Sequence, residues 1–275
     1  MGRAIGTVAL FGATCVALGF LVLPIVAIFV HTEPGTLLSQ LSNPAVVDAL
    51  VVSLEASAIA QLLVVGFGTP TAYLLASRRF PGRSLVITLV ELPLVLPPAV
   101  AGLGLLVAFG RNGLLGSTLD VFGVSIPFTQ TAVVLAVTFV ASPLFVRQAI
   151  AAFEAVDPNL VAASRTLGAG SARTFFRVVL PLARAGLAAG FALALARGLG
   201  EFGATIMFAG SLQGVTQTLP LAIYAEFDRN FDATLAMGAL LVVISAALLL
   251  TLKLSAAWQA SRQSSPSRSG LLGWS

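Results

Sequence analysis

The sequence predicts an all-α integral membrane protein with six transmembrane helices. Three observations carry that prediction. Of the 275 residues, 57% are hydrophobic and only 9% charged, where a soluble domain has about 25% charged residues. Mean hydropathy is +0.99. The apolar residues fall in long runs that accommodate spans of about 20 residues each, and the alternation expected of a membrane barrel is absent.

Taken in order, the first span is expected over 4–30. Arg3 precedes it, and its apolar run is far longer than the 7–15 residues of a signal-peptide core, so it reads as a retained helix. A polar loop with Pro34 and Pro44 covers 31–48. The second span, 49–76, ends at Arg78, Arg79 and Arg83. The third, 84–109, contains Pro93, Pro97 and Pro98, which permit a bent helix there. A Gly-rich loop, 111–126, leads to the fourth span, 127–152. A long polar interruption follows within 153–184. The fifth span is expected over 185–209, a loop over 210–231 and the sixth span over 232–257. From Ser261 the chain is Ser-rich and basic, and reads as a disordered tail. The expected organisation is thus 1–48 as first helix and outer loop, 49–260 as a five-helix core, and 261–275 as tail.

Lys and Arg counts set the expected orientation. With the N-terminus inside, Arg3, Arg78, Arg79, Arg83, Arg147, Arg165, Arg173, Arg177, Arg184, Lys253, Arg262 and Arg268 are cytoplasmic. Only Arg111 and Arg229 are outside, and Arg197 is left within a span. Both termini and the 157–181 interruption are then cytoplasmic.

Composition also excludes function classes. The pI near 10.2 does not indicate nucleic acid, because the basic residues sit at span ends and not on one folded face. Cys15 is the only cysteine and His31 the only histidine. That removes an intramolecular disulfide, a His-based triad and a multi-His or multi-Cys metal site. A phosphate-binding loop needs Gly-Lys-Ser/Thr, yet the only lysine, Lys253, lies in the sixth span. The chain therefore cannot bind ATP by that motif, and no cofactor is expected. Gly198, Gly200 and Gly203 spell a literal GxGxxG, but within a membrane span and with no strand before it. Small residues for close helix packing are the better reading, and Gly186 and Gly190 fit it too.

The 157–181 stretch reads as two short helices around a tight turn. Asp157 suits an N-cap and Pro158 the first turn. Leu160, Ala163, Ser164 and Leu167 share one face. Gly168 and Gly170 fit a left-handed C-cap. Ser171 is placed to cap the second helix, whose apolar face is Phe175, Val178 and Val179 and whose expected stop is Pro181. Such a pair either lies on the membrane surface or plugs into a groove on a soluble partner.

Here the residues carry a resemblance. Arg-Thr-Leu-Gly-Ala at 165–169, with Val-Val-Leu-Pro at 178–181, resembles the coupling loop of importer-type ABC permeases, which reads E-A-A, three residues, G, then a later L-P. Leu167, Gly168 and Pro181 match; Val161 or Ala162 stands where the acidic residue is usual. Arg-Gly-Leu-Gly-Glu-Phe-Gly-Ala-Thr-Ile at 197–206 and Thr-Gln-Thr-Leu-Pro-Leu-Ala-Ile-Tyr at 216–224 are similar to the permease subunits of molybdate importers. Residues 92–102, Leu-Pro-Leu-Val-Leu-Pro-Pro-Ala-Val-Ala-Gly, fit the same family.

The resemblance implies the type I importer permease fold. It also implies a homodimer, two ATPase subunits on the cytoplasmic face and an outer oxyanion-binding protein, with membrane lipid around the spans. In that arrangement the chain performs no covalent chemistry. Residues Ala162, Ala163, Arg165, Leu167, Gly168, Phe175 and Pro181 form the expected ATPase-coupling loop.

Glu201 is expected about sixteen residues into the fifth span, with Arg197 one turn before it. An ionisable group there must face the bundle interior or water. The two make either a structural ion pair or, with Gly203 and Thr205, a pore or gate element. A carboxylate beside an anion path repels the substrate, so Glu201 is not read as an anion ligand. Glu91 is a second buried candidate with an unspecified arginine partner. Thr205, Ser211, Thr216, Gln217 and Thr218 either supply neutral donors at the outer mouth or satisfy loop backbone groups. The expected cargo is molybdate or tungstate. Alternatives are a sulfate or thiosulfate permease, a proton-coupled transporter using Glu201 and Glu91, and an intramembrane enzyme, which the lone His disfavours.

Overall fold

The computed structural model describes residues 2–32 and 34–263. Among them the regular elements are helical. Among the described residues five helices are long and apolar enough to cross a membrane, and one bent helix pair brings the number of spans to as many as six.

The first helix, α1 (Gly2–His31), stands apart. None of its apolar stretch is buried. A short α2 (Pro34–Gln40) follows. Helix α3 (Pro44–Ser77) begins five residues earlier than expected. Asn43 accepts a hydrogen bond from Ala45 N, and Pro44 sits in the first turn, where its missing N–H costs nothing. At 34 residues it is about 51 Å long, longer than the roughly 30 Å hydrocarbon core, so both its ends reach the interface.

The third span is broken. Helices α4 (Arg83–Val95) and α5 (Pro98–Phe109) meet at 113°. Pro97 holds Leu96 extended, at φ −66° and ψ 134°, as the residue before a proline prefers, and Pro98 restarts the helix. The Gly-rich loop contains α6 (Gly116–Val121).

Helix α7 (Gln130–Glu154), capped by the Thr129 hydroxyl, is the most enclosed span. Around it lie two apolar clusters. One joins α3, α5, α7 and residues 204–209, centred on Phe208 and Val133. The other joins α3, α7 and residues 179–194, centred on Phe145 and Phe153. After the basic hairpin, α10 (Leu180–Leu199) packs on α7, and α11 (Gly203–Ala209) on α5 and α7. The expected outer loop holds a further helix, α12 (Leu219–Glu226), with Leu219, Leu221 and Ala222 buried. Helix α13 (Phe231–Gln263) closes the bundle against α10 and α12. It carries the chain past the tail boundary expected at Ser261, and residues 264–275 lie outside the described residues.

Of the glycines expected at helix contacts, Gly186, Gly190, Gly198 and Gly203 meet another helix, while Gly200 meets only Ala196 O of the preceding turn at 3.7 Å. A Cβ on Gly186 would lie 2.5 Å from Ala152 Cβ, and one on Gly198 2.8 Å from Val137 Cγ1, both on α7. Gly186→Ala is therefore expected to force α10 off α7, an overpacking cost of about 1–3 kcal/mol. Gly66→Ala, with nothing within 4 Å, is the matched control. Thermal melting in detergent should fall for the first and not for the second.

Candidate functional site

The polar interruption folds as the sequence suggests at its first half. Helix α8 (Pro158–Thr166) is capped by Asp157, whose carboxylate accepts from Asn159 N at 2.8 Å. Its C-terminus closes with Ala169 N donating to Ser164 O at 3.1 Å and Gly168 N to Arg165 O at 3.0 Å. With Gly168 at φ 82°, this is the paired bonding of a left-handed helix stop. Such a stop ends a helix sharply and turns the chain back. The Ser164 and Thr174 hydroxyls lie 3.1 Å apart and pin the returning chain. Leu167, at the tip, is 87% exposed; Ala162, Ala163 and Arg165 are exposed as well.

The second half departs from expectation in three ways. Ser171 is not a cap: Gly170 occupies that position, and no side chain caps α9 (Ser171–Thr174). Pro181 does not stop the helix. A π-helical turn over Phe175–Val179 carries the chain straight into α10, with Leu180 N bonded to Phe175 O. A proline removes one N–H and crowds the carbonyl four residues back; widening the preceding turn relieves that clash. One membrane span thus runs over Ser171–Leu199. Third, Phe175 faces inward. Its ring lies 4.7 Å from Tyr73 and 6.1 Å from Phe153, so it anchors the hairpin to α3 and α7 and leaves the exposed face to α8.

The fifth span also ends sooner than expected, at Leu199, and Glu201 lies in the break between α10 and α11. It is 1% exposed. One carboxylate oxygen accepts from Ala204 N at 2.7 Å, at the start of α11. The other lies 2.6 Å from Arg197 Nη1 in the last turn of α10. Each charge meets a helix end of favourable sign, and one side chain fastens two helices across their break. Gly203 lets α11 approach the kink in the third span: a Cβ there would lie 2.7 Å from Pro98 Cβ. Likewise a Cβ on Gly102 would lie 2.5 Å from Ala204 O. The two broken spans therefore pack at their breaks, α5 against α11. Thr205 is fully buried, with its hydroxyl unpaired.

Of the other polar candidates, Thr216 accepts from Leu212 N at 3.0 Å and Gln217 donates to Ser211 at 3.1 Å. These residues satisfy their own loop. Glu91 finds Arg147 at 3.6 Å and is partly exposed rather than buried. Sequence reasoning missed Gln61, a buried amide on α3 that donates to Phe191 O of α10, and Ser53, which accepts from Leu219 N at 2.7 Å. An isolated polar residue in an apolar run was the available signal for both.

Two broken spans pack at their kinks, and an exposed hairpin stands at the end where the arginines gather, in a bundle of membrane-spanning helices. The chain belongs to a family of transport-system membrane components. A family model described as the binding-protein-dependent transport system inner membrane component matches residues 68–265, which include both the hairpin and the Glu201 break.

Among curated relatives, the chain is 42% identical over 231 residues to the molybdenum transport system permease protein ModB of Mycobacterium tuberculosis, covering 84% of this chain and 88% of that one. It is 43% identical over 214 residues to ModB of Escherichia coli K12, covering 78% and 93%. It is 36% identical over 243 residues to the probable transport system permease protein NifC of Clostridium pasteurianum, covering 88% and 85%. In fold it is similar to a chain of a bacterial alginate ABC transporter solved with an alginate-bound periplasmic protein, at TM-score 0.71 and 15% identity, covering 92% and 95%. It is also similar to a chain of the inward-facing MetNI methionine ABC transporter, at TM-score 0.59 and 21% identity, covering 75% and 92%. The fold is that of ABC importer permeases.

Proposed function

We propose that the chain is the permease subunit of an ATP-driven importer that moves molybdate or tungstate into the cytoplasm. The observation that carries this reading is the identity of 42% and 43% to ModB proteins across most of both chains. Two copies line one pathway, two ATPase subunits sit on the cytoplasmic face, and a binding protein delivers the oxyanion outside. The uncovered α1 supports a second copy or lipid around the bundle. Twelve basic residues at one side against two at the other support cytoplasmic N- and C-termini.

The hairpin is the part that the ATPase moves. A capped, sharply stopped helix transmits force as a rigid body, the Ser164–Thr174 contact holds it to α9, and the π turn makes α9 continuous with α10. Displacing Leu167 and Arg165 therefore displaces a membrane span. At the far end of that span, Arg197 and Glu201 carry the motion into α11 and onto the kinked third span. Glu201, Arg197, Gly203 and Thr205 act as the hinge of the gate and not as anion ligands.

The test is reconstitution of the permease with its ATPase and binding protein. Molybdate or tungstate should stimulate ATP hydrolysis and sulfate should not. Stimulation by sulfate alone would overturn the substrate, and uptake under a pH gradient by the permease alone would overturn the class.

A further inference from the structure

A cleft of 580 Å³ opens at the basic end of the bundle, between the end of α3, the start of α4, the end of α7 and α8. Its charged lining is Arg79, Arg83, Arg165 and Glu154. Arg83 and Glu154 neutralise each other at 2.5 Å, and Arg83 Nε also donates to Leu75 O at 2.6 Å. That leaves the guanidiniums of Arg79 and Arg165, from distant parts of the chain, with no hydrogen bond or ion pair to any described residue. Beneath them the lining is aromatic: Tyr73 and Phe153 meet edge-to-face at 5.4 Å.

We propose that this cleft binds the phosphate of an anionic phospholipid headgroup. Two unpaired guanidiniums converging on one cavity fit a phosphate-type oxyanion, which they can hold with bidentate bonds. Free phosphate carries the same chemistry, but it has no use for an apolar floor. A phospholipid does: its glycerol and first methylenes rest on Tyr73 and Phe153 while the phosphate meets the arginines. The position suits this source, because the cleft lies at the end of the spans, where headgroups are. The inference rests on the membrane-spanning fold and not on the identity of the cargo.

The consequence concerns coupling. Arg165 belongs to the hairpin and Arg79 to the α3–α4 connection, so a bound headgroup ties the moving hairpin to the bundle.

The experiment is native mass spectrometry of the full chain purified with its ATPase. It is titrated with phosphatidylglycerol, with phosphatidylcholine of the same acyl chains, and with inorganic phosphate. Phosphatidylglycerol should be retained about tenfold or more over phosphatidylcholine, since each basic residue near an anionic headgroup is worth about fivefold. Arg79→Gln should lower that preference about fivefold and Arg79→Lys less. Arg78→Gln, a neighbouring exposed arginine outside the cleft, should leave it unchanged.

Equal retention of the two lipids would overturn the site. Equal loss from Arg78→Gln and Arg79→Gln would reduce it to general surface charge and overturn it too. Phosphate binding with no gain from the lipid body would overturn the lipid source. An Arg79→Gln variant that keeps its lipid preference but loses the ATPase would assign the arginines to a protein contact instead.

Discussion

Deleting residues 167–170 is expected to abolish ATP-driven uptake while leaving membrane insertion intact. These four residues are the tip and stop of the hairpin, and they lie outside every span. Removing them takes away the left-handed stop at Gly168 and the bonds from Gly168 N and Ala169 N, so α8 no longer turns back onto α9. A milder variant separates shape from contact. Leu167→Asp keeps the backbone but removes an apolar side chain that is 87% exposed. If Leu167 is buried by the ATPase, burying a leucine is worth about 1.5–3 kcal/mol, and ATPase retained on purification should fall at least about tenfold. Charge reversal at Arg165 tests the electrostatic share, with Val161 or Ala162 standing where an acidic residue is usual. Undiminished uptake by the deletion variant would sink the coupling role of the hairpin.

Replacing either Arg197 or Glu201 by alanine is expected to be strongly destabilising, and replacing Glu201 by glutamine less so. Breaking a buried ion pair from one side costs about 3–5 kcal/mol, because it leaves a charge without compensation. The two sides are not equivalent here. Glu201 is 1% exposed, whereas the Arg197 side chain is 33% exposed. Arg197→Ala strands a carboxylate that has no route to water. Glu201→Ala leaves a guanidinium that can still be partly solvated, and its cost belongs at the low end of that range. Glu201→Ala additionally leaves Ala204 N without its partner, where a buried unpaired donor costs about 1–3 kcal/mol. Glu201→Gln retains an acceptor for that bond and should be the mildest of the three. Melting in detergent should fall most in the two alanine variants and least in Glu201→Gln, and uptake should fall with it if the pair is the hinge of the gate. Unchanged melting in both alanine variants would show that the pair holds nothing together.

Much of the fold is legible in the sequence, and the reason differs by element. The first half of the hairpin is written in local chemistry: Asp157, Pro158 and Gly168 each act within a few residues of themselves, and each does what its type favours. The same holds for the kink in the third span, where Pro97 and Pro98 constrain their own backbone. The close-packing glycines were legible as a class, though not their partners on α7. Glu201 with Arg197 was legible as a pair because the two lie four residues apart.

What the sequence left open lay elsewhere. Residues 185–209 form a mostly apolar run whose only charged residues are Arg197 and Glu201, and the small residues around Leu199 suit close helix packing as well as a helix end. The break is set by tertiary packing, where α11 must pass close to Pro98. Pro181 was expected to stop a helix, but packing of Phe175 against Tyr73 and Phe153 holds the chain in register through a widened turn. Helix α12 was hidden in an expected loop because eight residues are too few to signal a span. By itself the sequence determined that this chain spans a membrane, where its basic end lies and where its exposed hairpin begins. The tertiary structure alone decided that the fifth span breaks after Leu199, which face of each helix is buried and which side chains meet across helices. The reason lies in the solvent. In water a helix advertises its buried face by the polar residues opposite it, but in lipid both faces are apolar, and only packing tells them apart.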